Sequence, residues 1–198
     1  MRNISPFMVY RLYIHCDVKM DFINKLKTEL SNSGIYRISY AVIPSNADFD
    51  TKYYPDISFP TRISNWYSDV TKLNEIEQEI NETPNIIQIK QSVNGIITIN
   101  EKTVEIAKLK STIKQLIKNN PDCFIKYNIN DSITFSDYFT VLSKSTEAIH
   151  ELREEYSQWN YAQKYDWLNY EEQREVRDKY PLRILELTTE MIKKIENK

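Results

Sequence analysis

Glycine is almost missing: Gly34 and Gly95 are the two in 198 residues. Both fall where local structure wants one. Gly34 follows the periodic run Phe22, Ile23, Leu26, Leu30, at the position of a left-handed helix cap, and Gly95 stands in an Asn94-Gly95 pair between two alternating runs. No glycine is left for a phosphate loop, a dinucleotide turn or a nucleophile elbow, so nucleotide binding and hydrolase chemistry are not expected, nor any cofactor. Long hydrophobic runs are missing too. The longest are three or four residues, far below the roughly 18 to 20 of a membrane span. The opening MRNISPFMVYRLYIHC has neither the apolar core nor the small-residue cleavage site of a signal peptide. Charge of one sign is lacking as well: 26 basic and 28 acidic residues are interspersed, leaving −2 and no electrostatic footprint for nucleic acid or an anionic membrane.

What remains is an ordinary folded composition, 41% hydrophobic and 27% charged, enough for one good core or two small ones. The segment VYRLYIHCD (9 to 17) alternates as a strand with Tyr10, Leu12, Ile14 and Cys16 inward; a helix follows, and YRISYAV (36 to 42) is a second strand. Residues 9 to 43 thus form one β-α-β unit. Residues 44 to 68, with Pro44, Pro55 and Pro60, read as a long connection, and a short helix is expected at about 70 to 81.

The second half starts with NIIQIKQSVNGIITIN, a β-hairpin with a type I′ turn at Asn94-Gly95. Ile106, Leu109, Ile113, Leu116 and Ile117 then make the apolar stripe of a helix whose solvated side carries Lys108, Lys110, Lys114 and Lys118. CFIKYNI (123 to 129) is a strand. From about 135 to 163, Tyr138, Leu142, Ser145, Ile149, Leu152, Tyr156 and Trp159 step by four and three, the seam of a helix longer than a small domain needs, with Glu147, Glu151, Arg153 and Glu154 off the seam. Residues 159 to 181 folding back, or a second subunit, would have to cover its far half. Asn169 with Glu172 reads as a capping box opening one more helix, ended by Pro181, and LRILEL (182 to 187) as a closing strand.

Groups that suggest chemistry have plainer readings. His15-Cys16-Asp17 looks like a small nucleophile group, but alternation along a strand turns Cys16 away from His15 and Asp17. Glu147-x-x-His150 matches one element of a di-iron site whose other ligands are missing, so no metal ligand is assigned. Cys16 and Cys123 read as small buried hydrophobes, with a disulfide between them left open. The cluster Trp159, Tyr161, Tyr165, Trp167, Tyr170 reads first as packing of the long helix and second as a partner surface.

The order of these elements resembles the periplasmic domain of the ExbD/TolR biopolymer-transport family. Residues 86 to 128 are similar to that family's strand, turn, strand, helix, Asn-Pro and strand; LYIHCD with SGIYRISYAV resembles its ending, and AIHELREEY with YPLRI resembles the extended C-terminal region of Bacteroidetes members. Asn128 stands where the family usually has Asp, which Asp17 keeps. The family's transmembrane helix has no counterpart in this sequence, so no proton-pathway residue is carried over. The resemblance implies a non-enzymatic, periplasmic component of a proton-motive-force-driven complex, meeting an ExbB/TonB-like partner or forming a homodimer. The expectation is an α+β chain with a small mixed sheet and helices on one face: a partial unit at 1–43, a linker with a short helix at 44–84, and a full unit with a long helical extension at 85–198. Its candidate interaction surface is Tyr138, Leu142, Ile149, Leu152, Tyr156, Trp159 and Trp167. A cytoplasmic α/β ligand-binding or regulatory domain is the alternative.

Overall fold

The computed structural model describes residues 10–33, 35, 37–43, 57–62, 85–189 and 192–193. The chain is α+β, and it divides into two compact units: one of residues 1–79, 129–139 and 188–198, the other of residues 80–128 and 140–187. This partition differs from a cut at residue 85, because the first unit also takes in residues 129–139. The cap position Gly34 and the helix expected at 70 to 81 lie outside the described residues.

In the first unit, β1 (Tyr10–His15) pairs in parallel with β2 (Arg37–Ile43), and α1 (Met20–Asn32) connects them. Met20 and Ile23 are the fully buried positions of α1, while Phe22, counted into the stripe from its spacing, is 60% exposed. The stripe is therefore set by Met20, two positions before the expected first member Phe22. The stretch read as a long connection contains a third strand, β3 (Ile57–Arg62), antiparallel to β2. Pro60 argued against a strand there; at the end of a three-stranded sheet its missing N–H is tolerated. Residues 129–139 close the core of this unit: Val18 and Cys16 carbonyls accept from Phe135 and Ser136 N–H, and the Phe135 ring meets Tyr40 edge-on at 5.6 Å. Lys27 donates to the hydroxyl of buried Tyr138 at 3.1 Å, with its ammonium 4.7 Å from that ring.

The second unit holds the five-stranded sheet, in the order β6-β5-β4-β7-β8. Its strands are β4 (Ile86–Gln91), β5 (Ile97–Ile99), β6 (Lys102–Val104), β7 (Phe124–Ile129) and β8 (Ile184–Thr188). Helix α2 (Ile106–Asn119) joins β6 to β7, and β4 runs parallel to β7 but antiparallel to β5. Leu109, Ile113 and Ile117 are its buried face; Ile106, at the first turn, is exposed.

The β4-β5 hairpin is present, but its loop is five residues long, with Ser92 N–H donating to the Ile96 carbonyl and Gly95 alone in the loop at positive φ. A two-residue turn with both central residues at positive φ does occur, one strand later: Asn100 (φ 48) and Glu101 (φ 69) join β5 to β6. β6 was not legible because no glycine marks that turn. The Asn100 carboxamide oxygen also accepts from Gln88 N–H at 2.8 Å, which ties the turn to β4.

Two further helices follow among the described residues. Helix α3 (Phe135–Tyr161) begins in the first unit and continues in the second; helix α4 (Tyr170–Lys179) opens at the expected box, with Asn169 accepting from Glu172 N–H and Glu172 accepting from Asn169 N–H. Helix α3 has a box of its own: Thr134 Oγ1 accepts from Asp137 N–H, and Asp137 Oδ2 accepts from Thr134. No described helix is long and apolar enough to cross a membrane.

The Glu101 conformation gives a stability test. A left-handed non-glycine residue costs about 1 to 2 kcal/mol, partly offset by the entropy a glycine brings to the unfolded chain. Glu101→Gly should stabilise the fold by about 0.5 to 1 kcal/mol, read as a raised urea midpoint; a lowered midpoint would mean the turn is not held as described.

Candidate functional site

Six of the seven candidate surface residues lie on the seam of α3. Tyr138, Leu142, Ile149 and Leu152 are all buried within the chain, so they are core side chains and not a partner surface. Tyr156 is half-buried, and Trp159 and Trp167 are 90% and 72% exposed. The expected surface therefore divides: its N-terminal part is core and its C-terminal part is surface.

The fold-back of residues 162–180 accounts for much of this. Helix α3 stops at Ala162, in a left-handed conformation (φ 52), and a short 3-10 turn (Tyr165–Trp167) leads into α4. Buried Ser157 donates to the Gln163 carbonyl at 2.6 Å, Glu154 accepts from Tyr165 N–H at 2.9 Å, and the Tyr156 hydroxyl donates to Glu175 at 3.2 Å. Leu168 and Val176 supply the apolar cover.

Arg153, placed off the seam by its spacing, is buried. Its Nε donates to the Tyr180 carbonyl at 2.9 Å, past the end of α4, and its guanidinium lies 5.9 Å from the Tyr165 ring. Burial and the like charge of Arg177 pull its pKa down, and the Tyr165 hydroxyl opposes this. Arg153 thus fixes the return segment onto α3. The sequence signal that was available is the spacing Ile149, Arg153, Ser157, a second buried row beside the seam.

The lysines of α2 are more than a solvated face. Lys110 and Lys114 both pair with Glu151; Lys114 also pairs with Glu155 at 2.7 Å, and Lys118 reaches Glu155 at 3.7 Å. The rows interdigitate because both helices repeat charges at a spacing of four residues. Hydrogen bonds from Lys110 hold Glu151 below its ordinary pKa, those from Lys114 do the same for Glu155, and the lysines are raised in return, chiefly by their bonds to Glu151.

What the outer surface offers is aromatic and acidic. Trp159, Trp167 and Tyr170 are all exposed within a dozen residues, with Lys164 Nζ 5.4 Å from the Trp167 ring and the Arg177 guanidinium 5.8 Å from that of Tyr170. Tyr161, Glu171, Glu172, Arg174, Glu175 and Asp178 line a cleft of about 430 Å³. Tyr161 is pushed up to about 12 by its hydrogen bond to Glu175 and the carboxylates around it, so it stays protonated. Glu147 is engaged by Lys144 and Lys110, and His150 is pushed down by burial and by Arg153, which leaves it neutral near pH 7. The pair makes no metal cluster among the described residues.

One group does converge. His15 is the last residue of β1, so Cys16 and Asp17 lie in the turn beyond it, where alternation no longer applies; their ligand atoms and that of His15 lie within 4.8 Å of one another. Neither cysteine is in a disulfide, and burial raises the pKa of Cys123, which precedes β7. Compared with known proteins, the chain matches no family model and no curated protein.

The α2-α3 ion pairs set a pH dependence. Carboxylates with depressed values stabilise the fold fully above the ordinary carboxylate range and lose that contribution as pH falls through their folded values; the raised lysines lose theirs only as pH climbs past the ordinary lysine range. Glu151→Gln should lower the thermal midpoint at neutral pH, and the gap to wild type should close on acidification. A gap that stays constant into acid would show that the pairs contribute nothing through charge.

Proposed function

We propose that this chain is a non-catalytic protein-interaction module that contacts its partner through the exposed aromatic segment between Trp159 and Tyr170. The observation that carries this reading is the exposure of Trp159 and Trp167 beside a return segment whose backbone is held to α3 by Arg153 and Ser157. Burying a large aromatic side chain contributes more to association than almost any other contact, and tryptophan is enriched at the centres of interfaces. The partner in this reading is a second copy of the chain or an ExbB/TonB-like protein, as the ExbD/TolR resemblance implies. The succession of hairpin, amphipathic helix and parallel strand over β4 to β7 supports that resemblance. A periplasmic location belongs to the same proposal.

Self-association gives the most direct check. Sedimentation velocity of the purified chain should show a concentration-dependent dimer, and Trp159→Ala combined with Trp167→Ala should remove it while circular dichroism retains full helicity. A sedimentation profile that the double substitution leaves unchanged would remove these side chains from any self-interface.

A further inference from the structure

The turn after β1 joins three kinds of donor atom. His15 Nδ1 lies 3.9 Å from Cys16 Sγ and 3.6 Å from Asp17 Oδ2, and Cys16 Sγ lies 3.5 Å from Asp17 Oδ1. With zinc-to-ligand bonds of about 2.0 to 2.3 Å, donor atoms on a tetrahedron stand roughly 3.3 to 3.6 Å apart. With one donor atom taken from each side chain, the three lie within 4.8 Å of one another, so small side-chain rotations bring them to one face of a tetrahedron.

The backbone that carries them is braced. Val18 N–H donates to the His15 carbonyl at 3.1 Å, Ser136 N–H to the Cys16 carbonyl at 3.0 Å and Phe135 N–H to the Val18 carbonyl at 2.7 Å, while Lys19 and Thr134 form an antiparallel bridge. Asp17 N–H stands 3.4 Å from His15 Nδ1, so a metal that binds this nitrogen displaces that hydrogen bond and takes over the lone pair. The His15 and Asp17 side chains are 45% and 67% exposed, so an ion can enter from solvent.

We propose that His15, Cys16 and Asp17 bind one divalent transition-metal ion of the zinc class, with the fourth position open to water or an external ligand. Nitrogen, sulfur and oxygen donors in one tetrahedral set favour a borderline ion over magnesium or calcium, which take oxygen ligands alone. Cys16 binds as the thiolate, and its proton passes to the buffer. The inference is independent of the aromatic surface.

Calorimetric titration of the full chain with zinc chloride, paired with absorption spectra on adding cobalt(II), tests it. The expected result is one ion per chain and a thiolate-to-cobalt charge-transfer band. Cys16→Ser should abolish the band, and His15→Gln and Asp17→Asn should each weaken binding by more than about tenfold, the loss that even an outer-shell partner produces. Cys123→Ser should bind as wild type does, and circular dichroism on each variant checks the fold. Absence of saturable binding, a band that survives Cys16→Ser, or an affinity that none of the three substitutions at the turn changes would overturn the assignment.

Discussion

Everything in the second unit depends on covering helix α3. At 27 residues and about 1.5 Å per residue it is about 40 Å long, more than one small sheet can shield. Leu142, Ile149 and Leu152 alone represent burial worth roughly 5 to 9 kcal/mol, comparable with the whole net stability of a domain. The helix cannot stand free in water with that face exposed. The chain resolves this by turning back at Ala162 and laying the 3-10 turn and α4 against the same helix that led into them.

That solution explains where charge and polarity sit. Arg153 is buried because the return segment crosses it, and its Nε meets the Tyr180 carbonyl, a group left over at the end of α4 that needs a donor. The opposite flank of α3 is held to α2 by the lysine and glutamate rows. With one side occupied by the fold-back and another by α2, the aromatic residues at the far end, Trp159 and Trp167, are left outside. Surface aromatics here result from the geometry of the cover.

The pattern of the sequence carried the long periodic elements well. Helix α3, the α2 stripe, the Asn169-Glu172 box and the closing strand follow from spacing, because in each the apolar or capping residues stand at regular positions within one short segment. Three features were not legible, each for a physical reason. β3 contains a proline and depends on pairing with β2, a tertiary effect; β6 hangs on a left-handed Asn100-Glu101 turn without glycine; and the convergence of His15, Cys16 and Asp17 turns on whether the strand ends at residue 15 or 17. For the candidate surface, heptad spacing found the stripe on α3, but period alone cannot say which part of it the same chain will cover. Arg153 shows the converse, since a charged residue one step off the seam reads as solvated until the fold-back is in place.

Native-state amide hydrogen exchange measures the central point directly. If α4 is the cover that α3 requires, the amides of α4 and those of the α3 turns from Ile149 to Ser157 should open together, with the same free energy and the same denaturant dependence. Exchange in α4 that is fast and independent of denaturant, beside full protection of the α3 turns, would show that α3 is stable without its cover and would contradict this account.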